Sequence, residues 1–161
     1  MTSTKVITYK VAMESINEAL TQFELNCPVD SDLLNIVTIS TAKDLQARDY
    51  LLGITTEGNF TPETVIRFLA YAIRNCEQKE RTASLLAIKS AYLYAEGERD
   101  GASIELALCL AIDPTYSLGA LLRRVYGAGW PTEAFASMRK ELHPKVVEGM
   151  LEAPETEIHT F

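Results

Sequence analysis

The sequence predicts an all-α protein of about seven or eight antiparallel helices. Three observations carry the prediction. Apolar residues recur at three- and four-residue steps in one segment after another, the spacing that lines one face of a helix. Prolines, hydroxyl residues and acids punctuate those segments where helices start and stop. The stretch richest in β-branched residues, NIVTIST at 35–41, has no partner strand elsewhere, so a helix is preferred there too.

The first eight residues, ending in the apolar run from Val6, fit either a tail or a short strand. From Val11 to Phe23, Ala12, Ile16, Ala19, Leu20 and Phe23 form the stripe of the first helix. Pro28 stops it, and Asp30 or Ser31 caps a short helix over Leu33 to Ile39. Thr41 with Asp44 approximates a capping box for a helix bearing Leu45, Leu51, Leu52 and Ile54, which TTEGN ends. Thr61-Pro62-Glu63 combines a hydroxyl cap, a proline whose missing N–H costs nothing there, and an acid at the positive end of the dipole. Val65, Phe68, Leu69, Ala72, Ile73 and Cys76 then face inward, EQKER breaks the pattern, and Leu85, Ile88, Tyr92 and Ala95 define the next helix.

The chain is organised around Gly97 to Gly129. Ala102, Leu106, Cys109 and Leu110 share one helix face, and Ile104, Leu108 and Ala111 extend the apolar surface almost all the way round. A helix apolar on every side needs neighbours on every side, so this one is expected at the centre. Asp100 is its expected cap; Asp113-Pro114 stops it, with Pro114 opening the next helix. Leu118, Leu121, Leu122 and Val125 form that helix, which stops at Gly127-Ala128-Gly129. Thr132 caps another, with Ala134, Phe135, Met138 and Leu142, and HPKVVEGML makes a last short one. The acidic end offers little apolar surface to offset its ordering entropy, so a single domain over 1–152 and a mobile tail over 153–161 are expected.

With Gly97 at the turn, Ser90 and Ala102 as small crossing residues and Pro114 as the closing proline, this hairpin resembles a tetratricopeptide repeat. Leu86, Lys89 and Arg124 depart from that pattern. The resemblance implies a right-handed array of helical hairpins whose groove would be lined by Ser84, Ala87, Ala91 and Tyr94. A second resemblance rests on AIDPTYSLGALL and GAGWP, within Gly97 to Pro131, and on ARDYLLG at Ala47 to Gly53. These look like parts of an actinobacterial and actinophage family, domain of unknown function 4192, over the last two-thirds of the chain. It implies a short version, of the kind a phage could encode, and an actinobacterial host group; the family brings no established activity to carry over.

At 161 residues the chain is long enough to bury about 70% of its unfolded surface in one core. Cys27, Cys76 and Cys109 are odd in number and widely spaced, which suggests neither a disulfide framework nor a zinc site and fits a reducing cytoplasm. No leader and no apolar run of about 18 residues is apparent, so a soluble protein is expected. A net charge of −7 argues against general nucleic-acid binding, which draws on basic contacts to phosphates. A local patch from Arg123, Arg124, Arg139 and Lys140 stays open as an alternative, against a solvated face for each pair.

No catalytic, cofactor or metal site is expected. Of the two histidines, His143 precedes a proline and His159 lies in the tail, neither at ligand spacing from an acid or cysteine. Cys109, on an apolar helix, reads as a buried and inert thiol. An enzyme with a site between helices remains the alternative, and would need a pocket holding Arg48, Asp49 or His143. The leading expectation is a non-catalytic helical module that binds another protein, or a second copy of itself. Trp130, Tyr116, Tyr94, Arg123 and Arg124 are its candidate contacts, because tryptophan, tyrosine and arginine are enriched among interface anchors.

Overall fold

A computed structural model describes residues 6–160, and the chain is all-helical. Local capping sets several of the helix starts. The Thr8 hydroxyl accepts from the Val11 N–H to open α1 (Tyr9–Glu24), and the Asp30 carboxylate accepts from Asp32 to open α2 (Ser31–Lys43). Asp44 caps α3 (Leu45–Gly53) through the Ala47 N–H, and a 3-10 turn, Ile54–Glu57, follows. Thr61 caps α4 (Pro62–Asn75) with Pro62 in its first turn, as the sequence predicts. A second 3-10 turn, Lys79–Arg81, leads into α5 (Thr82–Ala95), α6 (Arg99–Ile112), α7 (Ser117–Gly127) and α8 (Thr132–Glu152).

The centre is α5 rather than α6. Eleven of the fourteen residues of α5 are buried, and it packs against α2, α3, α4, α6, α7 and α8. Its single charge, Lys89, is matched by Glu105 of α6 at 2.8 Å. By contrast α6 buries only Ala102, Leu106 and Cys109, while Ile104 and Leu108 remain 62% and 50% exposed. The expectation of a fully covered α6 is therefore corrected: it is an outer helix with an apolar outer face. The crossing of α5 and α6 itself is close. Ser90 and Ala102 are both fully buried, and the Ser90 hydroxyl donates to the Ala102 carbonyl at 2.6 Å. Gly97 makes the turn between them at φ +84°, where a side chain would be strained. Ser84, Ala87, Ala91 and Tyr94 all lie buried in α5, so the groove that a tetratricopeptide register would place there is filled by neighbouring helices.

Other differences have local causes. The β-branched stretch 35–41 is helical, and α2 runs on to Lys43, so Thr41 sits inside it and Asp44 alone caps α3. Asp100 lies in the first turn of α6, after Glu98 at the cap. Pro114 stays in the turn, where the Asp113 carboxylate accepts from the backbone and hydroxyl of Thr115, and α7 starts at Ser117. Thr132 is the first helical residue of α8, with Pro131 at the cap. That helix continues through Pro144, joining the two helices expected on either side of it. A proline inside a helix costs about 3 kcal/mol, against which Phe135, Arg139, His143 and Met150 are all buried on both sides of it.

Residues 153–160, expected as a mobile tail, lie against the start of the chain. Tyr9 and Lys10 donate to the Thr156 and Pro154 carbonyls at 3.0 Å each, Ile158 donates to Ile7, and the Ile158 side chain is buried. Thr8 and Glu157 form an isolated bridge, within the region left open at the start of the chain; residues 1–5 of that region lie outside the described residues.

Candidate functional site

Three helices each turn one face to a common groove. Leu45, Arg48, Asp49 and Leu52 of α3 stand at i, i+3, i+4 and i+7, and so do Leu118, Leu121, Leu122 and Val125 of α7. Phe135, Met138, Arg139, Leu142 and Val146 carry the same periodicity along α8, and Trp130 closes the turn between α7 and α8. The groove encloses about 650 Å³, within the range of ligand-binding clefts. Its walls are mostly apolar.

Its polar groups are the unusual part. Arg139 is only 8% exposed; it donates to the Leu52 carbonyl at 2.9 Å, and its guanidinium carbon lies 4.4 Å from the centre of the Tyr92 ring. It meets no carboxylate among the described residues, and its Nε has no hydrogen-bond partner. Burial pulls its pKa below the ordinary guanidinium range, opposed by Tyr92 and Glu96. Arg48 donates from Nε to Asp49 at 3.0 Å, while its Nη1 is buried without a partner. Tyr116 stands beside Arg48: burial raises its hydroxyl pKa and the guanidinium opposes the rise.

His143, one turn after Arg139, is buried, with Nε2 2.5 Å from a Glu57 carboxylate oxygen and its ring 5.6 Å from that of Tyr50. Gly53 makes room for it, since a Cβ there would lie 2.5 Å from Nδ1. The pair links α8 to the 3-10 turn after α3. No sequence signal joins residues 86 positions apart, so reading His143 as lacking a neighbouring acid is corrected by the fold. Cys109 is fully buried, and burial, then Asp113, pushes its thiol up to about 11, so the thiol is protonated at neutral pH. Among the described residues no three histidines, cysteines or acids converge as a metal site would require.

The candidate contacts fall into two groups. Tyr94 donates to the Trp130 carbonyl, stacks on Tyr126 at 4.3 Å and lies under the Arg99 guanidinium, so it holds the turn that presents Trp130. Trp130 is 39% exposed at the groove, whereas Tyr116 does not line it and stands behind it beside Arg48. Arg123 and Arg124 are exposed on α7 and do not line the groove. Of the four residues of the basic-patch alternative, Arg139 turns inward, so the Arg139-Lys140 pair does not form a solvated face. The three ionisable groups named as alternatives for a catalytic pocket, Arg48, Asp49 or His143, all line the groove, though Asp49 is engaged by Arg48 and His143 by Glu57.

No helix among the described residues is long and apolar enough to cross a membrane. No curated protein and no solved structure matches the chain. A family match covers residues 8–133, beginning at the cap of α1 and so reaching further toward the N-terminus than the last two-thirds. It ends just inside α8, and by this match over well more than half its length the chain belongs to the family described as Domain of unknown function (DUF4192).

Proposed function

We propose that this protein is a non-catalytic helical binding module whose α3/α7/α8 groove docks a protein partner, in the cytoplasm of an actinobacterial host if the chain is phage-encoded. The observation that carries the reading is an open apolar groove whose rim leaves Leu45, Leu121, Trp130 and Leu142 exposed. Contiguous apolar surface of this kind, with tryptophan and arginine in it, is the composition of interface anchors. A catalytic use of the same groove would fall to the His143–Glu57 pair. Binding is the better reading because Asp49 is already held by a cation and the Cys109 thiol is buried and protonated.

Capture from an actinobacterial lysate with the tagged chain tests this, comparing the wild type with Trp130→Ala and Leu142→Glu. Both positions are exposed, so the fold should survive both changes. A partner recovered by the wild type and lost by both variants is the expected result. The same proteins recovered by all three forms would overturn the reading.

A further inference from the structure

We infer that the chain self-associates by seating the outer face of α6 from one copy in the α3/α7/α8 groove of another. The inference rests on the binding reading above and names the occupant. On α6, Ile104, Leu108 and Ile112 follow one another at four-residue steps and are 62%, 50% and 38% exposed, forming a ridge along the helix. The groove lacks what the ridge offers. Its rim leucines, Leu121 and Leu142, are 44% and 49% exposed across a concavity of about 650 Å³. An apolar helix laid into an apolar groove, read through anchors at i, i+4 and i+8, is a recurrent mode of recognition.

Charge selects the occupant. The chain as a whole carries −7, yet the groove lining holds three bases, Arg48, the inward-turned Arg139 and Lys145, against the single acid Asp49, which Arg48 already holds. The ridge is flanked by acids: Asp100 in its first turn and Asp113 at its cap. Neither forms an ion pair within the chain among the described residues. The one base on α6, Arg99, is turned toward Tyr94 and the Trp130 carbonyl. An acid-flanked apolar ridge therefore meets a base-lined apolar groove, the arrangement that steers encounter and fixes orientation. The two surfaces are also available together. In α7, Leu118 and Leu122 line the groove while Gly119 backs onto Leu110 and Cys109 of α6, so one helix separates ridge from groove. A standard interface takes about 800 Å² from each partner, roughly a tenth of a small protein's surface, an area that engages the groove walls as well as the ridge.

Sedimentation of the full chain over a concentration series tests the inference with Leu108→Glu on the ridge and Leu142→Glu in the groove. The wild type should form dimers or larger species. Each variant should sediment as a monomer with unchanged helical circular dichroism, because both side chains are already half exposed. An equimolar mixture should recover heterodimers, since one intact ridge and one intact groove remain between the two. Ile104→Glu and Leu121→Glu replace either variant that loses its helical signal. A wild type monomeric at every concentration, association that survives either substitution, or a mixture no more associated than its parts would each overturn the proposal. A monomer whose groove variants still lose a captured partner removes only the second copy as occupant. A monomer that captures nothing through the groove removes the binding reading as well.

Discussion

Gly53→Ala opposes two effects of known sign. The glycine ends α3 at φ −109°, a conformation open to alanine, and in a helix alanine is favoured over glycine by about 0.5–1 kcal/mol. Local propensity alone therefore predicts a more stable protein. The fold predicts the reverse, because the added Cβ would lie 2.5 Å from His143 Nδ1 and 2.9 Å from its Cβ and Cγ. Carbon atoms in good contact sit about 3.5–4.0 Å apart, so α3 and α8 would have to separate by roughly 1 Å. His143 has no easy escape: it is buried, bonded to Glu57 and packed on Tyr50. Overpacking of this kind costs about 1–3 kcal/mol, which leaves a net loss of up to about 2.5 kcal/mol after the propensity gain. Urea denaturation reads it as a lower midpoint at constant slope. In a His143→Ala background the contacts with Nδ1 and Cγ are gone while the 2.9 Å approach to the Cβ remains, so Gly53→Ala should cost clearly less there than in the wild type. A stabilising effect in the wild type, or an equal loss in both backgrounds, would refute the close α3–α8 approach.

Gly119→Ala is the contrasting case: its Cβ would meet the tip of Leu110 at 2.8 Å and Cys109 Sγ at 3.4 Å. A leucine tip rotates away, so urea midpoints should show a change within about 0.5 kcal/mol once helix propensity is included. Ala102→Leu should cost about 1–3 kcal/mol in the same assay, because the site is fully buried at the α5–α6 crossing; a neutral result would mean the helices are not tightly crossed there. Alkali should also unfold the chain. Burial raises Cys109 from 9.0 to about 11 and Tyr126 from 10.0 to about 12, so the folded chain keeps protons that the unfolded chain has released. Stability from these groups is complete below pH 9 and is lost as pH rises toward 12; a urea midpoint flat across that window would contradict their burial.

What the sequence made legible was local, and what it hid was relative position. Thr61-Pro62 starts α4 because a cap and a first-turn proline act within one turn. Periodicity placed Ala102, Leu106 and Cys109 on one face correctly, since a helix fixes which residues share a side. It carries no information on which helix the others surround. The apolar character of α6 suggested the centre, but α5 combines small residues that permit close approach with just one charge, and it is α5 that the others enclose. Groove residues on α3, α7 and α8 show the same limit. Each set repeats at helical spacing, yet no spacing says that the three faces converge, nor that Glu57 will reach His143.

The same groove divides along the chain in a way that bears on what it holds. Its α3 and α7 walls, with Arg48 and Trp130, fall inside the family match, whereas Arg139 and Lys145 on α8 fall beyond residue 133. Stability gives no reason for a buried guanidinium there. Desolvating an ion costs several kcal/mol, and replacing buried ionic groups with apolar side chains of similar volume is often neutral or stabilising. Arg139 recovers part of that cost from the Leu52 carbonyl and the Tyr92 ring, and Glu96 favours its charge without pairing with it directly. Under the proposed docking, a partner's carboxylate would pair with it directly. The family match thus covers the α3 and α7 walls of the groove, and the α8 wall beyond it adds Phe135, Met138, Leu142 and the bases Arg139 and Lys145.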